Sequence, residues 1–145
     1  QPFTIVPILV GALSEQSEVQ YGEIFAPYLA RPENFFVVSS DFCHWGKRFR
    51  FTHFDQRHGE IFQSIEALDR QGMGLIEAQD ACGFCDYQRQ YGNTICGQHP
   101  ISVLLRALRC IDKKHTVKFV RYAQRRTEMG CIDKKHTVKF VRYAQ

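Results

Sequence analysis

From Phe3 to Leu13 the chain reads FTIVPILVGAL, apolar at nearly every position. Such a run predicts a strand buried on both faces, as in α/β proteins. Ser14 or Ser17 then offers a helix N-cap, and Ser17 with Gln20 fits a capping box. Tyr21, Ile24, Phe25, Tyr28 and Leu29 recur at helical spacing and make one apolar face. Arg31-Pro32 ends that helix, because a residue before proline is pushed out of the helical region. Phe35 to Ser40 (FFVVSS) reads as a second short, buried strand. Strand, helix, strand predicts a βαβ unit, a parallel pair joined by a right-handed crossover.

The stretch DFCHWGKRFRF that follows is polar and aromatic and reads as a loop. Ile61, Phe62, Ile65 and Leu68 mark a helix from about Asp55 to Leu68, with Gly72 and Gly74 breaking it. A further helix covers Ala81, or a later start, to Tyr91 and ends at Gly92-Asn93. Pro100 opens another, where its missing N–H costs nothing, and Ile101, Leu104, Leu105 and Leu108 form its apolar stripe. Thr116 to Tyr122 alternates as a closing strand. The predicted class is α/β, with strand order unassigned.

The C-terminus changes how charge is read. Residues 110–124 and 131–145 both read CIDKKHTVKFVRYAQ, one unit repeated at a period of 21 residues. Both copies cannot take one slot in a sheet. The first is expected to hold the native place, and the second to be an added strand or a loose end. Residues 1–109 carry 9 Lys and Arg against 12 Asp and Glu, whereas residues 110–145 carry 10 against 3. The net charge of +4 therefore belongs to the tail, and the mildly acidic body argues against a nucleic-acid partner. No apolar run reaches the roughly 18 residues of a membrane span. The 145 residues suffice for one domain with a real core. Cysteines at 43, 82, 85, 96, 110 and 131, in a chain too large to need disulfide staples, read as reduced intracellular thiols.

Two segments carry candidate chemistry. Asp41-Phe42-Cys43-His44-Trp45-Gly46 lies just past the carboxyl end of the second predicted strand, the edge where open α/β sheets bind ligands. Asp41 and His44 can each serve as acid, base or metal ligand, although one Asp-x-x-His is a weak motif that a capped turn with a packed Trp45 also explains. In Asn93-Thr94-Ile95-Cys96-Gly97-Gln98-His99-Pro100, Cys96 precedes a helix start that favours its thiolate, the form that binds metal or attacks carbon. The competing reading is a buried thiol with His99 as a helix cap. Cys82-Gly83-Phe84-Cys85 has redox-motif spacing without a preceding strand or a second pair, so it reads as accidental. His53 and His58 flank Asp55 at a solvated helix start, and His115 and His136 are copies of one residue.

SSDFCHWG (Ser39 to Gly46) and NTICGQHP (Asn93 to Pro100), with FTIVPILVGALSE, GEIFQSIEALDRQGM and FVRYAQ, resemble the second half of the MEMO family, mediators of ErbB-driven cell motility. The resemblance runs from residue 1 to about 124. It implies a fold related to class III extradiol dioxygenases: an α/β domain with a central, largely parallel or mixed β-sheet flanked by helices, here incomplete. Residues 1–124 would form the C-terminal half of that domain, with 125–145 a linker and a peripheral second copy of the repeat. The resemblance also implies iron or copper as cofactor. Two histidines from the family's first half would bind it together with a cysteine that falls on Cys96, while Asp41 and His44 line the same pocket. Trp45 and His99 are expected to line it too.

Implied partners are a receptor-tyrosine-kinase phosphopeptide or adaptor proteins, in cytoplasm and also nucleus, with Arg48 and Arg50 as candidate phosphate contacts. The sequence contains neither histidine of the first half, and Gln1 rather than Met stands first, so a fragment with half a site is expected. Three functions follow: a metal-binding, redox-associated protein, a phosphopeptide-binding adaptor, or a hydrolase with Cys96, His44 and Asp41.

Overall fold

In the computed structural model, residues 2–111, 115–126 and 132–133 are described. Four helices dominate: α1 (Glu15–Leu29), α2 (Ile61–Glu77), α3 (Ala81–Tyr91) and α4 (Gln98–Arg109). Single 3-10 turns stand at Lys47–Phe49 and Gln56–His58. Among the described residues the only strands are β1 (Arg125–Arg126) and β2 (Ile132–Asp133), an antiparallel pair with Arg125 opposite Asp133. No helix there is long and apolar enough to cross a membrane.

The expected central β-sheet, parallel or mixed, is therefore absent from the described residues, and the α/β class is corrected to helical. The physical reason is pairing. An apolar run specifies burial, but a strand also needs a neighbour for its N–H and C=O groups. Phe3–Leu13 makes no ladder and meets no core: Phe3 is 84% exposed and Leu9 100%. Phe35–Ser40 makes no ladder either, so the βαβ unit does not form. It keeps one feature of its pattern, alternation. Phe35 and Val37 face outward while Phe36 and Val38 pack against Ala26, Leu29, Leu104 and Ala107.

The helix signals fared better in position than in facing. Ser14, not Ser17, caps α1, its hydroxyl accepting from the Ser17 N–H at 3.2 Å. The buried stripe of α1 is Glu18, Gly22, Ala26 and Leu29, whereas Tyr21, Ile24 and Tyr28 of the expected face stand exposed. Small side chains win that contact because α1 lies close along α4. Helix α2 starts at a capping box of Glu60 and Gln63 and runs through Gly72 and Gly74 rather than stopping at them. Gly72 is a packing site: a Cβ there would stand 2.9 Å from the Tyr87 ring on α3. Asp80 caps α3 and Gly92 closes it in the left-handed conformation. Helix α4 begins at Gln98, two residues before the expected Pro100.

The main core joins Ile65, Leu68, Met73 and Ile76 of α2 to Phe84 and Tyr87 of α3 and Ile101 and Leu105 of α4. Phe42, Cys43 and Ile95, from the two candidate segments, are buried in the same cluster. Residues 115–124 of the first repeat copy lie along α2 without a ladder. Val117, Phe119 and Tyr122 pack on the core cluster, and Gln124 Nε2 donates to the Phe62 carbonyl at 2.8 Å. Of the second copy, only Ile132 and Asp133 are among the described residues.

Candidate functional site

The two candidate segments lie side by side and are tied at three levels. Thr94 Oγ1 accepts the His44 N–H at 2.7 Å and donates to the His44 carbonyl at 2.9 Å. The Cys96 N–H donates to the Asp41 carbonyl at 3.2 Å, and the Asp41 N–H donates to Cys96 Sγ at 3.1 Å. The Gly97 N–H donates to Ser40 Oγ at 2.9 Å. Gly97 makes the last contact feasible, since a Cβ at that position would stand 2.4 Å from Ser40 Cβ. The backbones thus run past each other with rising numbers on one side and falling numbers on the other.

Burial decides which side chains look outward. Phe42 and Cys43 are fully buried, so the residues on either side, Asp41 and His44, are turned toward the rim and are half-buried. Ile95 is buried in the same way beside exposed Cys96. The result is convergence. One ligand atom each from Asp41, His44 and Cys96 falls within 4.8 Å of the others. A carboxylate, an imidazole and a thiol at that spacing can share one cation, or can pass a proton among themselves. The Asp41 N–H donates to Cys96 Sγ and so fixes where the sulfur sits in the cluster.

The other expected residues take separate places. Trp45 is half-buried and its indole N–H donates to the His53 carbonyl at 2.8 Å, which braces the loop. His99 Nδ1 lies 2.7 Å from Oε1 of buried Glu18, so it links α4 to α1. Arg48 and Arg50 are exposed. The Arg48 guanidinium stands 5.6 Å from the Phe49 ring, whose centroid is 5.2 Å from that of His44. Of the cysteine pair, Cys82 accepts from Arg109 Nη1 at 3.3 Å and Cys85 has its thiol pKa pushed up, mainly by burial.

Sequence reasoning assigned no role to Ser40, Asp69, Asn93 or Thr94. Asp69 had a signal: it occupies the stripe of Ile65, Met73 and Ile76 on α2, where a carboxylate is out of place unless bonded.

The sequence pattern of the family described as Memo-like protein matches residues 1–138. The chain is 54% identical over 125 residues to Protein MEMO1 of Rattus norvegicus, covering 84% of this chain and 42% of that protein. It is 52% identical to Protein MEMO1 of Danio rerio, with the same coverage. Against the Protein memo-1 homolog of Caenorhabditis elegans it is 45% identical, covering 84% of this chain and 36% of the relative. The chain thus spans about two-fifths of the length of the curated relatives it matches.

Proposed function

The chain belongs to the Memo-like family, and from that premise we propose that Asp41, His44 and Cys96 form part of an iron or copper site in a redox-associated protein. The observation that carries the reading is the convergence of three ligand types within 4.8 Å, from segments some fifty residues apart. The donor set fits the group. Imidazole and thiolate suit iron and copper, and a carboxylate adds the negative charge a hard, oxidised ion favours. Bound there, such an ion would supply one-electron chemistry. Cys96 would hold it as thiolate, with the Asp41 N–H steadying the sulfur, and His44 would take its orientation from the Thr94 clamp on its backbone. In the cell this site would serve signalling from receptor tyrosine kinases toward motility.

The test is titration of the chain with Co(II), which reports thiolate ligation by an intense near-ultraviolet band. The parent is expected to develop that band at about one equivalent and Cys96→Ala to lack it, with His44→Ala binding at least tenfold more weakly. A parent without the band, or a Cys96→Ala variant that keeps it, overturns the reading.

A second reading is an adaptor that binds a phosphopeptide. Phe49 favours it, because its ring lies next to His44 on one side and the exposed Arg48 guanidinium on another. Reversing Arg48 and Arg50 to Glu should abolish phosphopeptide binding while leaving the Co(II) band intact. Unchanged peptide binding sinks the adaptor site.

A further inference from the structure

We propose that Asp69 is the positioning residue of this site, a buried carboxylate on α2 that fixes the spacing between the two ligand-bearing segments. The inference rests on the metal-site reading for its purpose, but its geometry stands apart from it. Asp69 is fully buried. Its Oδ1 accepts from the Cys43 N–H at 3.3 Å and from Asn93 Nδ2 at 3.0 Å. Cys43 is adjacent to His44, and Asn93 lies three residues before Cys96. One oxygen atom therefore holds both segments, each within a few residues of a ligand.

The other oxygen reaches a third segment. Oδ2 accepts from the Tyr122 hydroxyl at 2.9 Å, and Gln124 Nε2 donates to that hydroxyl at 2.8 Å. Asn93 Nδ2 also donates to Tyr87 Oη at 2.7 Å, whose own proton goes to the Leu68 carbonyl at 3.0 Å. Such a network suits a buried carboxylate, which is costly without several donors. Burial first, and the Asp69 charge after it, push the Tyr122 hydroxyl pKa up, so that group stays protonated and keeps donating. Asp69 splits one oxygen between the two segments, and that atom on a rigid helix acts with the direct ties to set the distance from His44 to Cys96.

Asp69→Asn and Asp69→Ala separate positioning from bulk stability. Asn keeps an oxygen for Cys43 and Asn93 and turns its amide toward the Tyr122 hydroxyl. Ala removes both acceptors. Tyr122→Phe, which breaks only the Oδ2 arm, is the stability control. The first readout needs no metal: the alkylation rate of each thiol by iodoacetamide, resolved by mass spectrometry. In Asp69→Ala, Cys96 should lose its seat against the Asp41 N–H, and its alkylation rate should change at least about threefold. Exposed Cys82 and Cys110, away from the site, should keep their parent rates. Asp69→Asn and Tyr122→Phe should keep the Cys96 rate within twofold of the parent.

The second readout is Co(II) affinity, expected to fall on the order of tenfold in Asp69→Ala and to be rescued by Asn. An Asp69→Ala protein whose Cys96 rate matches the parent overturns the positioning role. Uniform acceleration at Cys82, Cys96 and Cys110 overturns it as well, since that reports a lost fold. A parent that binds no Co(II) while its Cys96 rate responds to Asp69 sinks the metal reading alone.

Discussion

Gly97→Ala is the sharpest probe of how the two segments meet. At 97 the backbone has φ −97° and ψ 24°, open to any residue, so a penalty there is steric rather than conformational. The added methyl would stand 2.4 Å from Ser40 Cβ, 2.6 Å from Ser40 Oγ and 2.8 Å from the Ser39 carbonyl oxygen. Carbon contacts settle near 3.5 Å, so the segments must part by about 1 Å. Overpacking of this kind costs about 1–3 kcal/mol. Parting also breaks the 2.9 Å bond from the Gly97 N–H to Ser40 Oγ, worth about 1 kcal/mol. The stiffer unfolded chain returns about 0.4–1 kcal/mol. The net is a loss of about 2 kcal/mol, or a Tm lower by about 8 °C at this chain length.

Thermal melts followed by circular dichroism read the change directly. Ser40→Gly in the same chain removes the two nearest atoms, so the double variant should be less damaged than the two singles summed, with a coupling of about 1 kcal/mol. A Gly97→Ala protein melting within about 2 °C of the parent would refute the close approach, and with it the seating of Cys96 against Asp41.

Thr94→Val keeps the side chain's shape and deletes both bonds to the His44 backbone, so the urea midpoint should fall by the equivalent of about 1–3 kcal/mol. An unchanged midpoint would mean that the clamp is not formed in solution. Leu9→Lys changes a fully exposed residue of the N-terminal apolar run. Stability should stay within about 0.5 kcal/mol while binding of an apolar dye drops, and a loss of stability would show that this residue is covered.

The sequence carried the helices because helix signals are local. Asp80 and Gly92 bracket α3 by capping chemistry that needs no distant partner. Facing is less local. Tyr21, Ile24 and Tyr28 outweigh Gly22 and Ala26 in hydrophobicity, yet α4 selects the small residues because it comes close. Strand formation is not local at all. FTIVPILVGAL and FFVVSS have the composition of buried strands, but each needs a partner that no described residue supplies. The site was legible in its parts, since the two unusual motifs named Asp41, His44 and Cys96. Their meeting was not, because Thr94, Gly97 and Ser40 join the motifs by bonds that span more than fifty residues of sequence or close to it.

The site's polar side chains stand on apolar footings. Asp41 and His44 flank Phe42 and Cys43, and Cys96 follows Ile95, all three footings being in the main core. A loop held this way has little freedom, because moving a site residue by one position would pull a buried side chain into water, at about 1.5–3 kcal/mol for a large one. Apolar burial alone still lets two such loops slide against each other, since it is non-directional. Directional bonds remove that freedom, and here they include the Thr94 clamp, the Asp41–Cys96 pair, the Gly97–Ser40 contact and the shared oxygen of Asp69. Core variants and bond variants should therefore fail differently. Shaving Phe42 should unfold the protein before it detunes the site, whereas cutting a directional bond should detune Cys96 while the helices persist. Measuring helicity and Cys96 reactivity on the same samples separates the two, and parallel loss of both in every variant would show that the site has no register of its own.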